Sequence, residues 1–369
     1  MEINEKVARL ALALVPGIGG QLVRNLISVT GSASQVFRER AVDLQKVPGI
    51  GKHLSASIRK KGYIERAEEE LIFMEKEGIR HRFLLDQDYP VRLAQCQDAP
   101  IVIFYKGNPE YPGHKWLAVI GTREPTDRGL RTTRNIIRML ADRKHPVVII
   151  SGLAYGIDIQ AHKCALESGM PTLAVLGHGF HTLYPALHRE TAGQILRNGA
   201  LISDFFSYNT MEPKNFIRRN RIIAGLSDAV LVVESGKKGG AVTTAEMANS
   251  YNRDVLAIPG RIDDERSKGC NWLIRSHQAA LVESCEDVEY YLGLDSTANP
   301  IHETSPLLFE LLTLEERQLY EQMPEEPVSI DLLARQQICP VQKVSTLLLS
   351  MEFKGFVRAL PGKLFLKNR

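Results

Sequence analysis

The sequence predicts a mixed α/β protein with a Rossmann-like parallel sheet at residues 81–292, between a helical domain at 1–80 and a winged-helix domain at 307–369. Three observations predict this organisation. A glycine-containing frame occurs twice near the N-terminus, glycine-marked turns follow apolar runs in the centre, and three helical patterns with a short hairpin close the chain. Because 369 residues exceed one ordinary domain, we expect two or three.

The N-terminal segment contains an internal repeat. LALVPGIGGQLVRNLI (12–27) and LQKVPGIGKHLSASIR (44–59) share the frame Leu-x-x-Val-Pro-Gly-Ile-Gly, with an amphipathic helical pattern after it. This pattern is typical of helix-hairpin-helix motifs, whose tight turns place backbone N–H groups where a phosphate can meet them. We predict a secondary DNA contact at Gly49, Gly51 and Lys52. The same hairpins are equally compatible with a purely structural role.

The positive charge is concentrated at the N-terminus. The net charge is only +3, but residues 1–62 carry ten Lys or Arg against four Asp or Glu. The five cysteines show no paired spacing and are expected to be reduced. Apolar runs are no longer than strands and the first residues show no export signal, so we expect no membrane span and a cytoplasmic protein.

The central sheet is predicted from four apolar runs that end in glycine. They are WLAVIGTR (116–123), VVIISGLAYGID (147–158), TLAVLGHGF (172–180) and DVLAIPG (254–260). Each run followed by a polar helical pattern is typical of a βα unit, and such units assemble into parallel sheets. Ligands of these sheets bind at the carboxyl ends of the strands, where helix N-termini present free N–H groups. The glycine turns therefore mark the expected site.

An arginine-rich stretch with one aromatic residue precedes another apolar strand, in FIRRNRIIAGLSDAVLVVES (216–235). Arg218, Arg219 and Arg221 are able to neutralise phosphates, and Phe216 offers a face on which any base can stack. This combination is typical of a single-stranded nucleic-acid site. The alternative is a solvated helix end that pairs with nearby carboxylates.

The ordered set of motifs resembles the DNA-processing protein A (DprA, also called Smf) family of bacteria. The motifs are VIGTR (119–123), SGLAYGID (151–158) with Ala161 and His162, LGHG (176–179) with Tyr184 and Pro185, the run 218–228, GGAVTTA (239–245), and Pro259–Gly260 with Leu273–Ile274. They span about 160 residues in the order that is typical of the family.

The resemblance implies a single-stranded DNA binding protein that protects incoming strands and loads them onto a RecA-type recombinase in natural transformation and homologous recombination. It further implies a homodimer paired through the Rossmann-like domain, a SAM-like N-terminal domain, and a single-strand binding protein as a further partner. No catalysis and no cofactor are expected.

The resemblance also assigns roles to individual residues. Arg123 is expected to hold a phosphate with the N–H groups of Gly121 and Thr122, and Phe216 to stack a base. Cationic and amide side chains are expected to follow the DNA backbone: Lys214, Arg218, Arg219, Asn220, Arg221, Lys237 and Lys238. Glycines are expected to admit the strand closely: Gly152, Gly156, Gly239 and Gly240. Asn220 and Arg221 are alternatively interpreted as braces beneath the site.

The C-terminal segment predicts a winged helix after a polar linker at 293–306. Residues 307–369 carry eight basic and eight acidic side chains, and the predicted recognition helix is rich in leucine. Protein contact or core packing is therefore favoured over DNA binding for this domain.

Enzymatic alternatives find weak support. No GxxxxGK[ST] motif occurs, which argues against an ATP-driven motor. His178, His181 and His188 lack a further ligand at metal-like spacing, so no metal is expected. GGAVTTAE (239–246) resembles the phosphate loop of nucleotide phosphoribohydrolases of the lysine-decarboxylase-like superfamily, with Glu246 as the acid. Hydrolysis of a nucleotide monophosphate is the alternative function.

Overall fold

A nine-stranded sheet forms the centre of the protein in a computed structural model that describes residues 3–294 and 312–368. In chain order its strands are β1 (Arg80–Phe83), β2 (Val102–Gly107), β3 (Lys115–Ile120), β4 (Val147–Ser151), β5 (Thr172–Val175), β6 (Gly199–Ser203), β7 (Ala229–Val232), β8 (Asp254–Ala257) and β9 (Ala280–Leu281). Their order across the sheet is β1-β2-β6-β5-β4-β3-β7-β8-β9.

Most of this sheet is parallel, as the βα pattern predicts. Seven neighbouring strands of the sheet, in the order β6-β5-β4-β3-β7-β8-β9, pair in parallel. The pairs β1 with β2 and β2 with β6 are antiparallel. The chain runs outward from β3 to β6 on one side and then returns to place β7 on the other side of β3. The carboxyl ends of β3 and β7 thus flank a topological switch point, where open α/β sheets bind ligands.

Helices cover both faces of the sheet. They are α7 (Val91–Ala94), α8 (Asp127–Asp142), α9 (Ile157–Glu167), α10 (Arg189–Ile195), α11 (Pro213–Leu226), α12 (Gly240–Ser250), α13 (Lys268–Arg275) and α14 (Cys285–Leu292), with a 3₁₀ turn at Ala186–His188. Helices α11, α12 and α13 contribute to one apolar cluster, and α8, α9 and α14 to another. The strands β3, β4 and β7 are mostly apolar, because both faces are buried along most of their length.

The N-terminal repeat forms two hairpins of helices. The helices are α1 (Glu5–Leu14), α2 (Gly20–Thr30), α3 (Ala33–Arg38), α4 (Ala41–Leu44), α5 (Lys52–Ile58) and α6 (Tyr63–Glu77). Gly17 and Gly49 have φ of +83° and +87°, which a side chain rarely adopts.

The two hairpins pack against each other reciprocally. A Cβ on Gly17 would meet the Leu54 side chain at 3.0 Å, and one on Gly49 would meet Leu22 at 2.6 Å. Their apolar cluster continues into the sheet through Phe83, among other residues. The helices therefore share a core with the sheet.

A winged helix occupies the C-terminal part, as predicted. Its elements are α15 (Leu314–Gln322), β10 (Val328–Ser329), α16 (Ile330–Gln336), α17 (Val341–Phe353), β11 (Val357–Leu360) and β12 (Leu364–Lys367), with sheet order β10-β12-β11. Residues 295–306 of the predicted linker, and 307–311 of the predicted domain, lie outside the described residues.

The winged helix docks on the central domain through polar contacts. Arg253 Nη1 lies 2.6 Å from Asp331 Oδ2, and both side chains are almost fully buried. Gln342, in the first turn of α17, donates to the Ser250 carbonyl at 3.1 Å. These contacts lie at the amino ends of the strands, away from the switch point.

Candidate nucleic-acid interface

The turn after β3 is fixed from two sides. Thr122 N–H donates to the Glu234 carbonyl at 2.7 Å, and Ile157 N–H donates to the Thr122 carbonyl at 3.2 Å. The Glu234 carboxylate, at the end of β7, accepts from Thr126 N–H at 2.9 Å and from the Thr126 hydroxyl, and Thr126 in turn caps α8. Arg123 projects from this braced turn, exposed and without a salt-bridge partner among the described residues.

A cavity of about 510 Å³ opens at the switch point beside this turn. Its walls come from the turns after β3 and β7, the start of α12, and one face of α11. The sequence-predicted residues that line it are Gly121, Thr122, Arg123, Phe216, Arg219, Asn220, Lys238, Gly239 and Gly240. Because α12 begins at Gly240, its first unpaired N–H groups lie in the cavity wall, which favours an anionic ligand.

Phe216 and Arg123 lie side by side at this cavity. The guanidinium carbon of Arg123 is 5.7 Å from the centroid of the Phe216 ring, within cation–π range. The ring packs against Gly177, where a Cβ would approach it to 2.7 Å. An aromatic face and an exposed positive charge are therefore within reach of one nucleotide.

The arginine-rich stretch is helical, because it forms most of α11, and its side chains therefore divide between two faces. Phe216 and Asn220 face the switch-point cavity, whereas Arg218 and Arg221 line a second cavity of about 880 Å³. Arg218 and Arg221 thus lie at a different cavity from Phe216, and whether one strand contacts all three arginines stays a prediction. The helical period separates neighbours that look like one cluster in the sequence.

The second cavity lies between α11 and residues 13–22 of the first hairpin. Asp204, at the end of β6, anchors both of its arginines: Arg218 lies 3.0 Å from the carboxylate and Arg221 contacts the same oxygen. The Arg218 side chain is 56% exposed and the Arg221 side chain 12%. Arg221 thus acts as a brace, the alternative left open by the sequence, and Arg218 keeps a free face.

Arg219 differs most from its prediction as a surface phosphate contact. It is 3% exposed, and its Nη1 donates to the carbonyls of Gly152 and Val175. Burial lowers the pKa of Arg219 to about 10 and raises that of the neighbouring Asp158 carboxyl, while their mutual attraction opposes both shifts. Arg219 therefore supports the cavity floor.

The remaining predicted residues take varied positions. Gly152 lies over the Arg219 guanidinium, where a Cβ would clash, and Gly156 adopts φ +81° against the Arg123 backbone. Both glycines serve close internal packing. Lys214 is exposed and pairs with Glu212 at 2.7 Å, and Lys237 is exposed beside the cavity without lining it.

Tyr184, which follows the LGHG motif, lies beside the site although the sequence did not predict it as a site residue. Its ring centroid is 5.6 Å from that of Phe216, with 53° between the planes. The residue is 39% exposed. No local pattern signals this contact, because it joins the turn after β5 to α11.

The second hairpin presents its turn to solvent. Gly49, Gly51 and Lys52 are exposed, and α5 begins at Lys52. Whether DNA contacts them stays a prediction.

Across residues 3–294 and 312–368, no helix is both long and apolar enough to cross a membrane.

The histidines near residue 180 are mostly structural. His178 and His188 are buried, with 0% and 5% exposure, and each bonds a backbone carbonyl through Nδ1. In the described part of the chain no three His, Cys, Asp or Glu side chains are grouped to hold a metal ion.

Glu246 is exposed on α12 and does not line the switch-point cavity.

Comparison with known proteins decides the family. A model described as DNA recombination-mediator protein A matches residues 80–293, more than half of the chain. The chain belongs to the DNA recombination-mediator protein A family. A model of the DprA winged helix domain matches residues 303–363. Both the resemblance drawn from the motifs and the predicted winged helix are confirmed.

Individual relatives extend this result over the full length. Protein Smf of Synechocystis sp. is 32% identical over 401 residues, covering 98% of each chain. The X-ray structure of DNA processing protein A from Streptococcus pneumoniae has a TM-score of 0.64 and 30% identity, covering 78% of this chain and 98% of that one.

A second solved structure is of a relative described as binding single-stranded DNA. DNA processing protein A from Helicobacter pylori, whose structure is described for its single-stranded DNA binding mode, has a TM-score of 0.51 and 26% identity. It covers 57% of this chain and 93% of its own.

Proposed function

We propose that this protein binds single-stranded DNA at the switch-point cavity and passes it to a RecA-type recombinase. The observation that carries the proposal is the pairing of exposed Arg123 with the Phe216 ring, 5.7 Å apart, at the mouth of a glycine-walled cavity. Phosphate neutralisation with base stacking binds single strands without reading their sequence. The single-stranded DNA binding described for the Helicobacter pylori relative supports the same ligand class.

The geometry of the cavity supports a protein that holds DNA without reacting with it. The cavity walls supply N–H groups, a guanidinium, an amide and a lysine, which are ligands for phosphate and sugar. Glu246, the acid that a phosphoribohydrolase would use, lies outside the cavity wall. We therefore infer a mediator in transformation and recombination, acting in the cytoplasm where the recombinase works, and not an enzyme.

Further parts of the proposal concern assembly. We propose a helical domain at 1–80, a Rossmann-like domain at 81–292 and a winged helix at 307–369, and a homodimer paired through the Rossmann-like domain. Arg218 and the exposed Gly49, Gly51 and Lys52 are proposed as accessory phosphate contacts. A single-strand binding protein, which coats the substrate, is the proposed further partner.

The experiment that tests this function is strand exchange by a RecA-type recombinase on DNA coated with single-strand binding protein. The protein should accelerate exchange without hydrolysing ATP, and Arg123→Ala should lose this effect in proportion to lost DNA binding. A parallel assay follows ribose 5-phosphate release from AMP and CMP. Absence of stimulation together with Glu246-dependent release would overturn the proposal in favour of the phosphoribohydrolase.

A further inference from the structure

The aromatic surface beside the switch-point cavity extends beyond Phe216. Tyr184 lies next to it, with 5.6 Å between ring centroids and 53° between planes. At this tilt one planar base cannot cover both rings, so the two rings offer two separate stacking faces. With 39% of its surface exposed, Tyr184 is accessible from solvent.

The loop that carries Tyr184 is held at both ends by buried histidines. His178 Nδ1 lies 2.9 Å from the Gly179 carbonyl, which can only accept, so Nδ1 carries the hydrogen. His178 Nε2 is then free to accept from Tyr184 N–H at 3.1 Å. At the other end, His188 Nδ1 donates to the Leu153 carbonyl at 2.8 Å.

This bracing fixes the Tyr184 backbone, and the neighbouring Phe216 ring restricts the Tyr184 ring, before any ligand arrives. A preorganised aromatic side chain loses little conformational entropy on binding, which is why such residues are effective anchors. A tyrosine that served only to fill space beside Phe216 would be expected to be buried.

We propose that Tyr184 is a second base-stacking residue, which holds the nucleotide next to the one on Phe216. The inference rests on the proposed single-strand function and deepens it, because it sets a two-base platform beside the Arg123 phosphate contact. Because stacking tolerates every base, the platform adds affinity without sequence preference.

The test is a double-mutant cycle on oligo-dT measured by fluorescence anisotropy. Tyr184→Ala should weaken binding roughly 5- to 100-fold, the range for loss of one stacked base, whereas Tyr184→Phe should stay within about twofold of wild type. In the Phe216→Ala background, Tyr184→Ala should still weaken binding at least about fivefold. Loss of effect in that background would show that Tyr184 only supports Phe216 and would overturn the inference.

Two controls make the result interpretable. On an oligonucleotide of the same length with abasic sites throughout, wild type and Tyr184→Ala should bind equally, and a persisting difference would contradict stacking. Tyr290→Ala removes a 52% exposed tyrosine on α14 and should change nothing. If Tyr184→Ala fails to fold, Tyr184→Leu keeps the packing volume and should show the same loss.

The design also separates the inference from the function on which it rests. If Phe216→Ala and Arg123→Ala weaken binding but the Tyr184 variants do not, only the second stacking position is refuted. If wild type shows no binding to oligo-dT, the proposed function fails together with the inference.

Discussion

Neighbouring arginines in α11 have different roles, because a helix turns about 100° per residue. Arg218 is largely exposed, whereas Arg219 is buried, donates to two backbone carbonyls and is attracted by the nearby Asp158 carboxylate. Removal of a buried charge leaves its partners uncompensated and destabilises the fold, whereas removal of an exposed charge costs the fold little.

We therefore expect Arg219→Ala to destabilise the central domain by ~3–5 kcal/mol, because it removes the charge that offsets the buried Asp158 carboxylate and the donor to two carbonyls. Arg218→Ala is the matched control and should cost less than about 1 kcal/mol, since Asp204 keeps Arg221 as a partner. Urea unfolding followed by the fluorescence of Trp116 and Trp272, both in the central domain, measures the difference. Equal stability of the two variants would contradict this assignment.

At the residue scale the sequence predicted part of the site. The VIGTR turn placed Arg123 correctly at the end of β3, because glycine after an apolar run is a local signal. The division of α11 into two faces follows from helical periodicity, once the stretch is taken as a helix. Tyr184 joins Phe216 through a contact between distant segments, and no pattern within one sequence encodes it.

The N-terminal hairpins pack both against each other and against the central sheet. Gly17 and Gly49 admit leucines of the opposite hairpin, so the repeated glycines are needed for packing whether or not DNA is bound. The apolar cluster also continues into the sheet, so deletion of residues 1–80 would expose the shared core. The sequence predicted the hairpins from the repeat but not their reciprocal packing.

A charge reversal therefore tests the second hairpin better than truncation. The combined change Lys52→Glu, Lys60→Glu and Lys61→Glu alters exposed side chains only. It should weaken duplex binding by at least about tenfold and flatten its salt dependence, because each lost phosphate contact removes a released counterion. Oligo-dT binding should fall much less.

The matched control reverses three exposed arginines on α8: Arg131, Arg134 and Arg138. It changes the net charge equally at a different surface. If both triple variants bind duplex alike, the effect is one of overall charge and the hairpins have a purely structural role.

In the whole molecule, the winged helix is stabilised by its own buried charge. Glu316 accepts from Lys354 Nζ at 2.6 Å and from Thr313 N–H at 2.7 Å. Burial opposes its ionisation, but these hydrogen bonds prevail and lower its pKa from 4.5 to about 2. Since the folded-state pKa lies below the unfolded one, the stabilisation is complete above about pH 4.5 and is lost as the pH falls toward 2.

Glu316→Gln should accordingly cost the winged helix ~1–3 kcal/mol at pH 7, and the difference from wild type should shrink below pH 4.5. Hydrogen exchange of the β11 and β12 amides reports this within the full chain. Glu315→Gln, at a 59% exposed side chain, is the control and should change protection little. A constant difference across the acid range would contradict the assignment.

Domain organisation was more predictable than the contacts between domains. The repeat, the βα turns and the tail pattern each predicted an element type, since their periods are local. Docking of the winged helix through Arg253 and Asp331 depends on two residues 78 positions apart, and neither lies in a recognisable motif.

The central claim is that the switch-point cavity binds single-stranded DNA through Arg123 and Phe216. Its most direct test is a salt titration of affinity for oligo-dT and for duplex of equal length, comparing wild type, Arg123→Ala, Phe216→Ala and the remote control Arg138→Ala. Wild type should prefer the single strand, and each of the first two variants should lose ~1–3 kcal/mol of binding free energy. Only Arg123→Ala should reduce the salt slope, and Arg138→Ala should match wild type. Equal affinity of all four proteins for oligo-dT would contradict the claim.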